Sequence, residues 1–201
     1  MGLPTTEIIK QALANRTKQG LADSTVRPAA VLLLLYCKNG RDHILLSKRS
    51  DSVSRHKGEI CFPGGAWDPT DRDFLHTALR EAEEEMGVNP ADVVSIGELD
   101  EVLTRTHFGV RVFLGTIPYP YQFKPSTAEV AEVLEVPIMS LRDSANIRRE
   151  TRWAKGQTVT SYAYAYKNHV VFGATAKIIS QFLEVWEEAL KQGQEREASL
   201  T

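Results

Sequence analysis

The stretch Gly58–Val88 decides the fold, and it reads GEICFPGGAWDPTDRDFLHTALREAEEEMGV. An apolar run, a Gly-Gly turn and an Asp-rich loop precede a segment with helical periodicity. Glu81, Glu84 and Glu85 stand at i, i+3 and i+4, so their carboxylates share one face of a helix. Like charges at this spacing repel each other, and magnesium is typically held by a few carboxylates together with substrate phosphates. The pattern therefore predicts a metal-dependent site for a phosphate-containing substrate.

A solvated helix face is the alternative interpretation of the acidic run, because most charge runs on helices face water. The opposite side of the helix favours a packed element. An apolar stripe there consists of Ala78, Leu79, Ala82 and Met86. The helix is therefore expected to pack on one side, to present its acids on another and to end at Gly87. Arg80 lies four residues before Glu84 and is placed to pair with it.

This order of residues resembles the Nudix box of the Nudix hydrolases, which cleave diphosphates linked to another moiety. The resemblance is carried by Gly-Gly, an acid after five further residues, and REAEEEMGV. Asp71 stands where the box usually has glutamate, and the spacing from there to Arg80 is one residue longer. For Asp71, capping of the helix and a catalytic role are both open. The resemblance implies an α/β protein with the Nudix fold, an α/β/α sandwich with a mixed central sheet.

The same resemblance implies a bound Mg²⁺ or Mn²⁺ ion. Its expected ligands are Glu81, Glu84, Glu85 and the Gly64 carbonyl. The ion would lower the pKa of a water molecule and neutralise charge on the leaving phosphate. The expected catalytic residues are Glu84, Glu81, Arg80 and Glu129. Which glutamate is the general base stays open, and Glu132 is an alternative to Glu129.

The segment before the box narrows the resemblance. Residues 45–65 read LLSKRSDSVSRHKGEICFPGG and resemble the coenzyme A diphosphatase branch. That branch implies hydrolysis of coenzyme A to 3′,5′-ADP and 4′-phosphopantetheine, with acyl-coenzyme A forms as further candidate substrates. Ser47 replaces the usual threonine, and the basic residue Arg55 comes one position later than in the simple pattern. These departures leave the substrate less well defined than the reaction.

Five cationic residues follow one another closely here: Lys48, Arg49, Arg55, His56 and Lys57. A solvated loop is one interpretation of them. Phosphate binding is the other, since arginine and lysine donors suit phosphate oxygens and coenzyme A carries a 3′-phosphate besides its diphosphate. The expected substrate-binding residues are Arg49, Arg55, Lys57 and Gly65. In the later TRTHFG loop, His107 is a further candidate for substrate contact.

Two other functions remain open. The first is a diphosphatase for another nucleotide, such as ADP-ribose or NADH. The second is a nucleotide-binding module without catalysis, whose usual mark is the loss of box carboxylates. Glu81, Glu84 and Glu85 are all present, which favours an enzyme.

The composition of the chain limits the number of domains and the classes of partner and location that are expected. The 201 residues predict a single domain over 1–201, with a core over about 25–190. A net charge of −2 argues against nucleic acid as a partner, and the apolar run 29–36 is too short to span a membrane. Cys37 and Cys61 are expected to be buried, reduced thiols, which together with the lack of a secretory leader pattern predicts a cytoplasmic protein. Family analogy adds a homodimer as an expectation.

Periodicity predicts the remaining elements. A short amphipathic helix is expected over 5–16, and a hairpin about Asn39-Gly40 whose first strand lies in the middle of a sheet. Further strands are expected in 92–100, 111–117, 129–137 and 160–166, with a helix near Ile138 and a packed helix over 173–190. Residues 118–126 are expected to form a flexible flap, and 193–201 a frayed tail.

Overall fold

The computed structural model describes residues 6–52, 56–154 and 156–199. The helices are α1 (Thr6–Ala14), α2 (Phe74–Met86), α3 (Ile138–Arg142) and α4 (Gly173–Ser199). The strands are β1 (Arg27–Lys38), β2 (Arg41–Arg49), β3 (Ile60–Cys61), β4 (Gly64–Ala66), β5 (Val94–Glu98), β6 (Val102–Leu103), β7 (Phe108–Thr116), β8 (Val130–Pro137), β9 (Ile147–Ala154), β10 (Gln157–Tyr166) and β11 (His169–Val171).

The larger sheet is mixed and is built around β1. Its main path runs β3-β2-β1-β7-β5, while β4 pairs with β1, β6 with β7 and β8 with β2. The β1 and β7 strands are parallel, and the other pairs are antiparallel. The predicted hairpin is present, with Asn39 at φ 52° and Gly40 at φ 71°, the left-handed values that a tight turn between twisted strands needs. A second sheet has the order β11-β10-β9.

Alternate residues of β1 enter two different cores, because successive side chains of a strand point to opposite faces. Leu33 and Leu35 pack in the core that includes α1, α3 and α4. Leu32 and Leu34 pack in the core that includes α2. The protein is therefore an α/β/α sandwich, and the predicted position of this strand in the middle of the sheet is confirmed.

Helix α2 starts and stops at residues of the expected kinds. The Asp73 side chain accepts a hydrogen bond from the His76 amide and is the N-cap. Gly87 adopts φ 65° and ends the helix, as predicted. Buried Ala78, Ala82 and Met86 face the core, so the acids are left on the side away from it.

Three local predictions were wrong. Helix α4 continues through the expected tail to Ser199, and its Arg196 side chain hydrogen-bonds to Gln11 of α1. The segment 118–126 is anchored on the protein: the Tyr119 ring stacks on Tyr36, and the Lys124 amide donates to the Met86 carbonyl at 2.9 Å. Cys37 is exposed, because it lies on the polar end of β1, and Cys61 is half-buried; both are free thiols.

None of the helices in the described part of the chain is long and apolar enough to cross a membrane.

Candidate active site

The three box glutamates of α2 differ in their surroundings. The Glu85 side chain is 4% exposed, that of Glu81 16% and that of Glu84 55%. Glu81 lies against Gly65, where a Cβ atom would come within 2.4 Å of the Glu81 Oε1 atom. Only glycine therefore lets the turn approach this carboxylate so closely.

Arg80 joins two of these acids to the loop before the helix. Its Nη1 atom donates to Glu81 at 2.9 Å and to Glu84 at 3.2 Å. Its Nε and Nη2 atoms donate to the two carboxylate oxygens of Asp71, whose side chain is fully buried. These hydrogen bonds hold the pKa of Asp71 well below its usual range. Asp73 is the helix cap, and Asp71 orients Arg80 instead.

Glu85 lies at the buried end of the acidic face. Burial raises its pKa to about 7, although Arg49 lies 3.4 Å away and the Gly64 amide donates to it at 3.3 Å. Burial also raises the pKa of Glu81. Two carboxylates that are costly to ionise lie beside each other, and a cation at this point would stabilise both.

Glu129 lies near these acids, and its charge contributes to the raised pKa of both Glu81 and Glu85. The backbone positions it, because the Ser126 amide donates to the Glu85 carbonyl at 2.9 Å and the Ser50 amide donates to the Glu129 carbonyl at 2.8 Å. Glu132 points elsewhere, since its carboxylate contacts the buried His169 ring at 3.0 Å. Of the two alternatives, Glu129 is the one near the box.

One cavity of about 530 Å³ brings two of the box glutamates and Glu129 together, whereas Glu84 does not line it. Its acidic wall contains Glu81, Glu85 and Glu129, with Arg49, Gly64 and Gly65 beside them. A second, mainly apolar wall comes from β7 and the start of α4, and it contains Phe108, Val110, Phe172, Ala174 and Ile178. The cavity is therefore large enough for more than a diphosphate and has an apolar side.

The predicted cationic residues separate in the structure. Arg49 lines the cavity but pairs with Glu85, and its buried Nε atom has no partner in the described part of the chain. His56 also lines the cavity and contacts Glu59. Lys57 is exposed and does not line it. Arg55 lies outside the described residues.

His107 does not line the cavity either; its ring contacts the Thr25 hydroxyl at 3.3 Å. Its neighbour Arg105 does line the cavity, together with Thr104 and Thr106. Arg105 and the start of α4 were not predicted from the sequence as parts of the site. No motif marks them, because they meet the box only through the fold.

The chemistry of the donors fits a divalent cation, since carboxylate and carbonyl oxygens are the ligands that Mg²⁺ and Mn²⁺ prefer. Within 6–52, 56–154 and 156–199, no three carboxylate, imidazole or thiol groups are arranged to hold an ion as they stand. Guanidinium groups contact the carboxylates instead, Arg80 on Glu81 and Glu84, and Arg49 on Glu85. The oxygen atoms are therefore of the type that the ion prefers. To bind the ion, the carboxylates would have to exchange their contacts with Arg49 and Arg80 for contacts with the metal.

Residues 26–156 match the NUDIX domain family. A protein of Photorhabdus laumondii named uncharacterized Nudix hydrolase NudL is 35% identical over 158 residues, which cover 79% of this chain and 84% of that protein. The chain belongs to the Nudix hydrolase family. A protein of the same name from Pectobacterium atrosepticum is 36% identical over 155 residues, covering 77% of this chain and 80% of that one.

The fold of this Nudix protein is shared by a solved structure, a MutT/nudix family protein from Enterococcus faecalis. The TM-score is 0.54 at 13% identity, and the match covers 91% of this chain and 70% of that one. The predicted Nudix fold is therefore confirmed. Nudix hydrolases cleave phosphoanhydrides in nucleoside diphosphate derivatives and generally use divalent metal ions.

Proposed function

We propose that this Nudix hydrolase cleaves the diphosphate linkage of coenzyme A, giving 3′,5′-ADP and 4′-phosphopantetheine, with acyl-coenzyme A forms as further substrates. The observation that carries the proposal is the cavity, in which Glu81, Glu85 and Glu129 share one space of about 530 Å³ with a group of mainly apolar side chains. The diphosphate would lie at the acids, and apolar side chains such as Phe108, Phe172 and Ile178 would contact the parts of coenzyme A beyond it. The resemblance of residues 45–65 to the coenzyme A branch supports the same substrate.

Glu81, Glu84, Glu85 and the Gly64 carbonyl would hold Mg²⁺ or Mn²⁺. When bound, the ion would lower the pKa of the attacking water and neutralise charge on the leaving phosphate. Gly65 leaves room for the Glu81 carboxylate beside the substrate. Arg80, held by Asp71, keeps Glu81 and Glu84 oriented.

Glu129 is proposed as a catalytic residue, either as the base that takes a proton from the attacking water or as a further ligand. Its place beside Glu81 and Glu85 supports either role. Arg49 would bind phosphate oxygens once a cation takes over Glu85, because its Nε–H is buried and has no acceptor in the described structure. Arg55 and Lys57 stay predictions from the sequence, as do a cytoplasmic location and a homodimer.

A comparison of substrates tests the proposal. Purified protein is incubated with Mg²⁺ and coenzyme A, ADP-ribose or NADH at equal concentrations, and the products are separated and identified by mass. We expect coenzyme A to be cleaved fastest, with 3′,5′-ADP and 4′-phosphopantetheine formed in equal amounts. Faster cleavage of ADP-ribose or NADH would contradict the coenzyme A assignment while leaving the Nudix reaction in place.

A further inference from the structure

The turn between β6 and β7 contributes a cation to the cavity that the proposed chemistry does not use. Arg105 lines the cavity from this turn and is exposed. It makes no ion pair or hydrogen bond with another residue of the described structure, whereas Arg49, the other arginine in the described cavity lining, is paired with Glu85. Arg105 is thus free to meet an anion that enters the cavity.

The backbone of this turn is fixed by hydrogen bonds on both sides. The Thr104 amide donates to the Phe108 carbonyl at 2.9 Å, and the Phe108 amide donates to the Thr104 hydroxyl at 3.0 Å. The His107 carbonyl accepts from the Arg27 amide at 3.0 Å, which ties the turn to β1. A turn already ordered in this way presents Arg105 to a ligand with little further loss of backbone entropy.

Polar residues line the cavity besides Arg105. Thr104 and Thr106 line the cavity, and their hydroxyl groups lie 3.2 Å apart. The first residues of α4 line it as well, among them Gly173 and Thr175. The first amides of a helix have no acceptor within the helix and favour negative charge. The cavity lining therefore includes a guanidinium without a partner in the described structure, hydroxyl groups and the first residues of a helix, a set that suits a phosphate monoester.

We propose that Arg105 binds the 3′-phosphate of coenzyme A and so makes the enzyme selective for substrates that carry this group. The assignment rests on the proposed coenzyme A diphosphatase function. The acids and their cation would hold the diphosphate, and Arg49, which contacts Glu85 at 3.4 Å, would bind it beside them. Arg105 lines the same cavity from the turn between β6 and β7 and pairs with none of the acids of the described structure, so it would be free to bind the 3′-phosphate.

Steady-state kinetics of Arg105→Ala with coenzyme A and with 3′-dephospho-coenzyme A tests this assignment. For coenzyme A we expect KM to rise by about tenfold or more, as for loss of a charged contact, with kcat nearly unchanged. For the dephosphorylated substrate we expect the same kcat/KM as in the wild type. Arg105→Lys should recover part of the selectivity, because lysine keeps the charge but not the planar fork.

Arg148→Ala is the matched control, since Arg148 is an exposed arginine of β9 that does not line the cavity. It should behave as the wild type with both substrates. An equal loss of kcat/KM for both substrates in Arg105→Ala, or no loss for either, would overturn the assignment while leaving coenzyme A hydrolysis intact. If the wild type cleaves neither substrate, the proposed function fails and the role of Arg105 fails with it.

Discussion

Arg80 and Asp71 form a two-point contact, with Arg80 Nε 3.0 Å from Asp71 Oδ1 and Nη2 3.1 Å from Oδ2. The carboxylate is fully buried, and the same guanidinium holds Glu81 and Glu84 through its remaining nitrogen. The loop before α2 thereby sets the position of acids on the second and third turns of the helix. The shorter aspartate is compatible with this contact, although the box usually has glutamate at its position.

Replacement of Asp71 by asparagine should destabilise the protein. The substitution removes the charge from two hydrogen bonds to Arg80, and hydrogen bonds to charged groups contribute about 1.5–3 kcal/mol each. We expect the free energy of unfolding in urea at pH 7 to fall by about 2–3 kcal/mol, because Arg80 keeps its contacts to Glu81 and Glu84. Asp73→Asn is the control, since asparagine also caps helices. Equal stabilities of the two variants would contradict the anchoring role.

The contribution of Asp71 to the free energy of unfolding should also depend on pH. Arg80 holds the pKa of Asp71 below its ordinary value of 3.8, so the unfolded chain takes up this proton before the folded protein does. This contribution to stability is therefore complete above about pH 4. It is lost as the pH falls towards the pKa that Asp71 has in the folded protein. Urea unfolding at pH 7 and pH 3 should show a smaller difference between wild type and Asp71→Asn at pH 3. The same difference at both values would argue against this linkage.

Two neighbouring glycines should respond differently to alanine. A Cβ atom at Gly65 would lie 2.4 Å from the Glu81 Oε1 atom, the end of a side chain that can move. One at Gly64 would lie 2.4 Å from the Ala30 carbonyl oxygen and 2.6 Å from the Val31 Cα atom, which are backbone. We expect Gly65→Ala to lower kcat with a nearly unchanged melting temperature, and Gly64→Ala to lower the melting temperature. Thermal unfolding and kinetics of both variants check this pair, and the reverse assignment of effects would contradict it.

Glu129 and Glu132 offer a similar contrast. Glu129 lines the cavity with Glu81 and Glu85, and Glu132 contacts His169 outside it. Glu129→Gln should reduce kcat about 100-fold or more if the carboxylate is the base, with the melting temperature nearly retained. Glu132→Gln should keep kcat. Activity and melting temperature measured side by side separate the two, and full activity of Glu129→Gln would remove Glu129 from the mechanism.

Much of the fold follows from local patterns. The turn at Asn39-Gly40, the apolar stripe of α2 and its end at Gly87 are each specified by residues close together in sequence, and each is found as predicted. The predicted tail was wrong because residues 194–198 are good helix formers and no local stop signal ends α4 before Ser199. Its last turns are polar, and contacts such as that of Arg196 with Gln11 of α1 come from distant sequence.

In the candidate site, too, some features depend on residues close together in sequence and others depend on the fold. That Glu81, Glu85, Gly64 and Gly65 lie together could be predicted because the helix and the turn that carry them are close in sequence. Arg105 could not be predicted as a site residue. The cavity that it lines is completed by α4, which begins at Gly173, about 70 residues later. The pairing of Arg49 with Glu85 was equally hidden, since it joins the end of β2 to α2 across the fold.

The central claim is that the acids of α2 act in catalysis by binding the metal ion, and the kcat of Glu84→Gln tests it most directly. Glu84 is more than half exposed and its only ion pair within the described structure is with Arg80, so the substitution should change the melting temperature very little. Glu83→Gln is the control, because Glu83 is an exposed acid on the same helix, whereas Arg80 makes its ion pairs in the described structure with Asp71, Glu81 and Glu84. With Mg²⁺ and coenzyme A, we expect kcat of Glu84→Gln to fall by about 100-fold or more and that of Glu83→Gln to stay at the wild-type value. Full activity of Glu84→Gln, or loss of activity because the variant unfolds, would contradict the account.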